Sequence, residues 1–126
     1  MIPKIIHYCW LGDKQYPELV KKCIKSWHEK LPDYTLIKWT SENFDINSNT
    51  FCKEAYEAKK YAFASDYIRV KVLYEYGGIY LDSDIEVFKN FDDLLNNKAF
   101  IGFENNSAVT SWLMATEKII LFLKVS

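Results

Sequence analysis

Runs rich in β-forming residues alternate with runs at helical spacing, and that alternation constrains the fold more than any other feature of this chain. Ile2 to Leu11 is apolar and β-rich, with Gly12-Asp13 after it, and reads as a buried strand followed by a loop. Pro17 stands near a helix N-terminus. Leu19, Val20, Cys23, Ile24 and Trp27 recur with the helical period, which predicts an amphipathic helix ending before Pro32. Tyr34 to Trp39 is a second strand, Ser41 to Asn49 a polar loop, and Thr50 to about Lys60 a second helix. Ala62 to Tyr76 is helical and apolar on nearly every face. Gly77-Gly78 closes it, because glycine takes a left-handed conformation at a helix end without steric cost. Ile79 to Leu81 is a short strand followed by D-S-D (82–84), and Ala99 to Phe103 is a further strand candidate. Alternating elements of this kind pack as an α/β sandwich around a mostly parallel sheet flanked by helices. Ligands on such sheets lie beyond the carboxyl ends of strands, and D-S-D lies just past one such end.

Composition narrows the function classes. The chain has 126 residues, enough for one domain with one core. With 49% hydrophobic and 26% charged residues it falls among folding rather than disordered sequences. A net charge of −1 gives no electrostatic footprint for nucleic acid. Lys21, Lys22 and Lys25 read as the solvated face of the first helix. Cys9, Cys23 and Cys52 are odd in number and lack C-x-x-C spacing, so they read as small buried hydrophobes in a reducing compartment. The opening M-I-P-K-I-I-H-Y lacks the pattern of a signal peptide. The apolar run Ile119 to Leu123 is too short to span a bilayer. The expectation is a cytoplasmic protein, with contact at the inner face of the membrane left open.

The chemistry concentrates in two places. In extended geometry Tyr80, Asp82 and Asp84 share one face, while Ile79 and Leu81 point into the core. Two carboxylates one pleat apart repel unless a cation or donors lie between them. A hard divalent ion, Mg²⁺ or Mn²⁺, bridging a diphosphate answers that requirement. It would neutralise charge on a departing nucleotide diphosphate. Asp is also common in turns, so D-x-D alone is a weak signal. Asp66 and Arg69 lie three apart on the apolar helix, hence on one face. Charges there are costly unless paired or aimed at a ligand. The bland alternatives are a local Asp66–Arg69 ion pair, or Ser65 or Asp66 as a helix cap. No phosphate loop, dinucleotide fingerprint, nucleophile elbow or metal-spaced histidine pair occurs.

Taken together, A-S-D-Y-I-R (64–69) and L-Y-E-Y-G-G-I-Y-L-D-S-D (73–84) resemble the signature of the DXD-containing sugar-transferase family. That family includes fungal initiating mannosyltransferases, globoside-type galactosyltransferases and bacterial capsule enzymes. The spacing is also similar to that of the large clostridial glucosylating toxins. I-I-H-Y-C-W-L-G (5–12) resembles the family's first strand and nucleotide loop, although Asp13 stands where a second glycine is frequent. The resemblance runs from about Ile2 to Asn106. It implies a GT-A-like fold, a UDP- or GDP-hexose donor, Mn²⁺ or Mg²⁺, and transfer to a glycan or polysaccharide acceptor with retention. It implies that Trp10 stacks on the base, Asp66 and Arg69 hold the donor sugar and ribose region, and Tyr80 lines the nucleotide pocket. Asp82 would touch ribose or sugar and assist the metal, and Asp84 would be the direct metal ligand; these two carboxylates are the catalytic candidates. Members carry a second half that binds the acceptor, so residues 1–126 read as a truncated, N-terminal donor-binding portion.

Two rivals stay open on sequence. A haloacid dehalogenase-type phosphatase also places D-x-D after a strand, with the first Asp as nucleophile; Glu86 stands where that class wants Thr or Val. A nucleotide-sugar or divalent-ion binding module without turnover is the other.

Overall fold

The computed structural model describes residues 1–96, 99–103 and 109–116. Its strands are β1 (Ile5–Cys9), β2 (Thr35–Trp39), β3 (Gly78–Leu81), β4 (Ala99–Phe103) and β5 (Val109–Thr116), and its helices are α1 (Glu18–Lys30), α2 (Thr50–Glu57) and α3 (Tyr61–Tyr76). They form one sheet in the order β2-β1-β3-β5-β4. The first three strands are parallel, with His7 opposite both Ile37 and Tyr80. β5 runs antiparallel to β3, and β4 antiparallel to β5. The architecture is the expected α/β sandwich, with an antiparallel pair completing the parallel half. Strand β5 is not among the elements expected from the sequence, and the apolar run Ile119 to Leu123 lies outside the described residues. Among the described residues no helix is long and apolar enough to cross a membrane.

Both faces of the sheet are covered, as expected of parallel strands joined by helical crossovers. On one side Ile6, Tyr8, Ile79 and Leu81 pack with Trp27 and Leu31 of the α1 region. On the other, Cys9 and Tyr80 pack with Ala64, Ile68, Val72 and Leu73 of α3. Tyr80 therefore does not share an open face with the carboxylates: it is 2% exposed, inside the second core. Helix α3 buries the stripe Ala64, Ile68, Val72, with Arg69 and Leu73 beside it, and leaves Phe63 and Tyr76 exposed. All three cysteines are free and buried.

The glycine pair does more than end α3. Gly77 N–H bonds back to Leu73 O at 2.9 Å, with Gly77 at φ 68° and Gly78 at φ 107°. A Cβ on Gly78 would come within 2.9 Å of Ile5 O and 3.1 Å of His7 Nε2, so only glycine lets β3 lie this close to β1. His7, fully buried, closes the junction. Its Nδ1 accepts the Trp39 indole N–H at 3.0 Å, and its Nε2 donates to Gly77 O at 2.8 Å. The indole is a donor only, so this pairing requires the neutral imidazole protonated at Nε2. Burial lowers the His7 pKa, while the bond to the Gly77 carbonyl partly opposes that.

Candidate donor site

Beyond the carboxyl ends of β1 and β3 lies a cleft of about 990 Å³. Trp10, Asp66, Arg69, Tyr80, Asp82 and Asp84 all line it. They come from the loop after β1, from α3 and from the end of β3, so the tertiary fold brings together residues that are distant in sequence.

Arg69 is the centre of the arrangement. It lies 5% exposed on the flank of α3 that faces the end of β3. Its Nη2 donates to Asp82 Oδ1 at 2.9 Å and its Nη1 to Asp66 Oδ1 at 3.2 Å. Its guanidinium lies 4.7 Å from the centre of the Tyr80 ring. Tyr80 is thus a platform under Arg69 as well as part of the cleft wall. Burial works against the Arg69 charge, but Tyr80, Asp82 and Asp66 together hold it firmly protonated. Burial pushes the Asp82 carboxyl above the usual range; Arg69 pulls it back, and nearby Asp84 adds to the rise. The local Asp66–Arg69 pair considered from sequence is present, and it is one arm of a bridge that continues to Asp82. The cap reading of Ser65 and Asp66 is overturned. Helix α3 begins at Tyr61, and Ser65 Oγ donates to Ala62 O at 2.8 Å inside it.

The two motif carboxylates are not displayed along an extended strand. β3 stops at Leu81, and Ile85 N–H bonds to Asp82 O at 3.1 Å, so D-S-D is carried by a turn. The turn leaves Asp82 half-buried and Asp84 exposed. Residues 85–87 are tied down. The Trp27 indole donates to Ile85 O at 2.8 Å, and Val87 N–H to Ser26 Oγ at 2.9 Å. Helix α1 therefore clamps the chain just past the carboxylates.

At the other end, the Trp10 indole N–H donates to Lys14 O at 2.7 Å and the ring meets Tyr16 edge-on at 4.9 Å. These contacts close the loop that carries Trp10. Cys9, also in the cleft wall, has its thiol pushed up to about 12 by burial, which removes it as a nucleophile. Asp13, Lys14, Lys59, Tyr61 and Ser65 line the cleft as well. Sequence reasoning put Asp13 in the nucleotide loop and gave the other four no place there. The available signal was the i, i+4 spacing of Tyr61, Ser65 and Arg69, which puts all three on one flank of α3.

Among the described residues no cluster of three or more His, Cys, Asp or Glu side chains could enclose a metal. Two carboxylates beside the cleft suit a cation that takes its remaining ligands from phosphate and water, as Mg²⁺ does.

Comparison with known proteins places residues 17–101 in a family described as "Glycosyltransferase sugar-binding region containing DXD motif". The chain is 32% identical over 121 residues to inositol phosphoceramide mannosyltransferase 3 of Schizosaccharomyces pombe, covering 93% of this chain and 34% of that protein. It is 35% identical over 137 residues to mannosyl phosphorylinositol ceramide synthase CSH1 of Saccharomyces cerevisiae, covering 99% of this chain and 34% of that one. The chain thus spans about a third of the length of these relatives. Among solved structures it matches the PaToxG glycosyltransferase with a TM-score of 0.73 at 23% identity, over 94% of this chain and 55% of that one, a likeness of fold.

Proposed function

The chain belongs to the family of glycosyltransferases whose sugar-binding region contains a DXD motif, and from that premise we propose that its cleft binds a nucleotide-diphosphate sugar with a divalent cation for hexose transfer. The acceptor is a glycan or polysaccharide, and the anomeric configuration is retained. The observation that carries the reading is the Asp66–Arg69–Asp82 bridge, which sits in one cleft with Asp84 and Trp10. A structural ion pair needs no such neighbours.

In this reading Asp84, exposed at the tip of the turn, is the metal ligand, and Asp82 supports it while touching ribose or sugar. Bound Mn²⁺ or Mg²⁺ supplies charge neutralisation for the leaving nucleoside diphosphate. The chain's own residues do the rest. Trp10 stacks on the base. Asp66 accepts from sugar hydroxyls, and Arg69, fixed between two carboxylates over Tyr80, donates to the sugar and ribose oxygens. Asp66 and Asp82 hold Arg69 before the donor arrives, so little reorganisation remains at the moment of reaction. Retention by front-face attack asks for no protein base. A fungal relative is named an inositol phosphoceramide mannosyltransferase.

Thermal-shift measurement with UDP- and GDP-hexoses, with and without Mn²⁺, tests this. A ligand at a hundred times its Kd adds about 2.7 kcal/mol to the native state. A rise in Tm that needs both metal and sugar nucleotide is expected. Equal melting with and without Mn²⁺ for every donor overturns the metal-dependent reading.

A further inference from the structure

The segment joining α2 to α3 is built around a residue in an unfavourable conformation. Lys59 N–H bonds to Tyr56 O at 3.0 Å and Lys60 N–H to Ala55 O at 2.8 Å, the paired bonds of a Schellman ending. That ending needs a left-handed residue just past the cap, and glycine is its usual occupant. Here it is Lys59, at φ 59°, which among the described residues is the one non-glycine with positive φ. Non-glycine residues held this way gather at ligand sites, where the side chain has a use.

Lys59 lines the donor cleft. Its position along the cleft is set by its neighbours. Tyr61, two residues on, lays its ring against Gly12, where a Cβ would lie 2.6 Å from Tyr61 Cε2. Gly12 in turn is two residues from Trp10. Lys59 therefore stands at the aromatic end of the cleft, with Trp10 and Tyr61. The carboxylates bound to Arg69 lie further along α3 and at the end of β3. An aromatic end suits a flat base, and an acidic end with a cation suits a diphosphate.

Lysine has three donors and no acceptor. We propose that Lys59 is a specificity-determining residue that reads the base. Its ammonium donates to the ring carbonyl of uracil (O4) or of a 6-keto purine (O6), and finds no acceptor on the amino group that cytosine or adenine carries there. The proposal rests on the cleft being a nucleotide-sugar site.

Calorimetric titration in Mn²⁺ with two pairs of nucleotides tests it: UDP against CDP, and inosine diphosphate against ADP. Each pair differs at the carbonyl in question. In the pair that the protein binds, the keto member is expected to bind roughly tenfold more tightly, the worth of one hydrogen bond to a charged donor. Lys59→Gly is expected to bring that ratio close to unity while Tm holds or rises, since glycine suits the left-handed position. Lys60→Met, next to it but off the cleft, is expected to keep the ratio. An unchanged ratio in Lys59→Gly overturns the proposal. Equal weakening of both members also overturns it and makes Lys59 a phosphate contact, and so does a wild-type preference for the amino base. If wild type binds none of the four nucleotides, the reading of the cleft itself falls, and the proposal with it.

Discussion

The two ends of β3 are only a few residues apart, yet they have opposite characters. At the start, Gly78 sits against Ile5 and His7 with no room for a methyl group, and every polar atom named there has a partner. At the finish, Asp84 is exposed and Asp82 half-buried, both beside a cleft. The string G-G-I-Y-L-D-S-D is thus two devices, one at each end of β3. The glycine half fixes where the strand lies; the aspartate half ties Asp82 to Arg69 and leaves Asp84 exposed at the cleft.

Substitutions at the two ends should separate these roles. Gly78→Ala forces a Cβ into backbone at a positive φ and should cost about 3 kcal/mol of stability, read by denaturant unfolding. A loss of under about 1 kcal/mol would mean that β1 and β3 can part cheaply. Asp84→Asn should weaken metal-dependent donor binding by about 10–100-fold. Its unfolding free energy should stay within about 0.5 kcal/mol of wild type. Calorimetric titration with Mn²⁺ and a UDP-sugar reads the first, and unchanged affinity would remove Asp84 as a ligand.

His7 offers a finer test of the rigid end. Its folded pKa is depressed, so the unfolded chain takes up the proton first as pH falls. The stability His7 contributes is therefore complete above about pH 6.5. It is lost as pH drops towards the folded value, with a slope of at most about 1.4 kcal/mol per pH unit. His7→Gln should flatten the stability profile below that point; an unaltered slope would show that His7 does not titrate with unfolding. The smallest effect is expected at Phe88, which is 74% exposed just past the carboxylates. Phe88→Ser should change stability by no more than about 0.5 kcal/mol. A larger loss would mean that the open end is braced by more than the Trp27 and Ser26 bonds.

Much of this was legible in the sequence because it is written locally. Period and breakers gave β1, α1, β2, α2, α3 and β3 to within a few residues, and the joined motifs pointed to six of the residues that line the cleft. What stayed hidden depends on distant partners. Strand alternation puts Tyr80 on an open face with the carboxylates; it does line the cleft, but α3 covers it, and no local signal reports a second layer. D-S-D, just past the strand end, reads as extended until the bond from Ile85 to Asp82 turns it. The His7–Trp39 contact joins residues on different strands, and the pattern that marks each as core says nothing of their pairing. Lys59 looks like one more surface lysine until its backbone angle is known.

The strand order has a consequence for how the molecule is made. β3 sits between β1, which precedes it, and β5, which comes after both it and β4. During synthesis the ribosome delivers β1, the helices and β3 first. β3 then has a partner on one side only, with its other row of amides and carbonyls open until residues 109–116 emerge. The chain must run outward through β4 and fold back as an inserted strand before that row is filled. β3 is therefore the later of the two interior parallel strands to gain its second neighbour, and a nascent chain halted between 82 and 108 presents it as an adhesive edge.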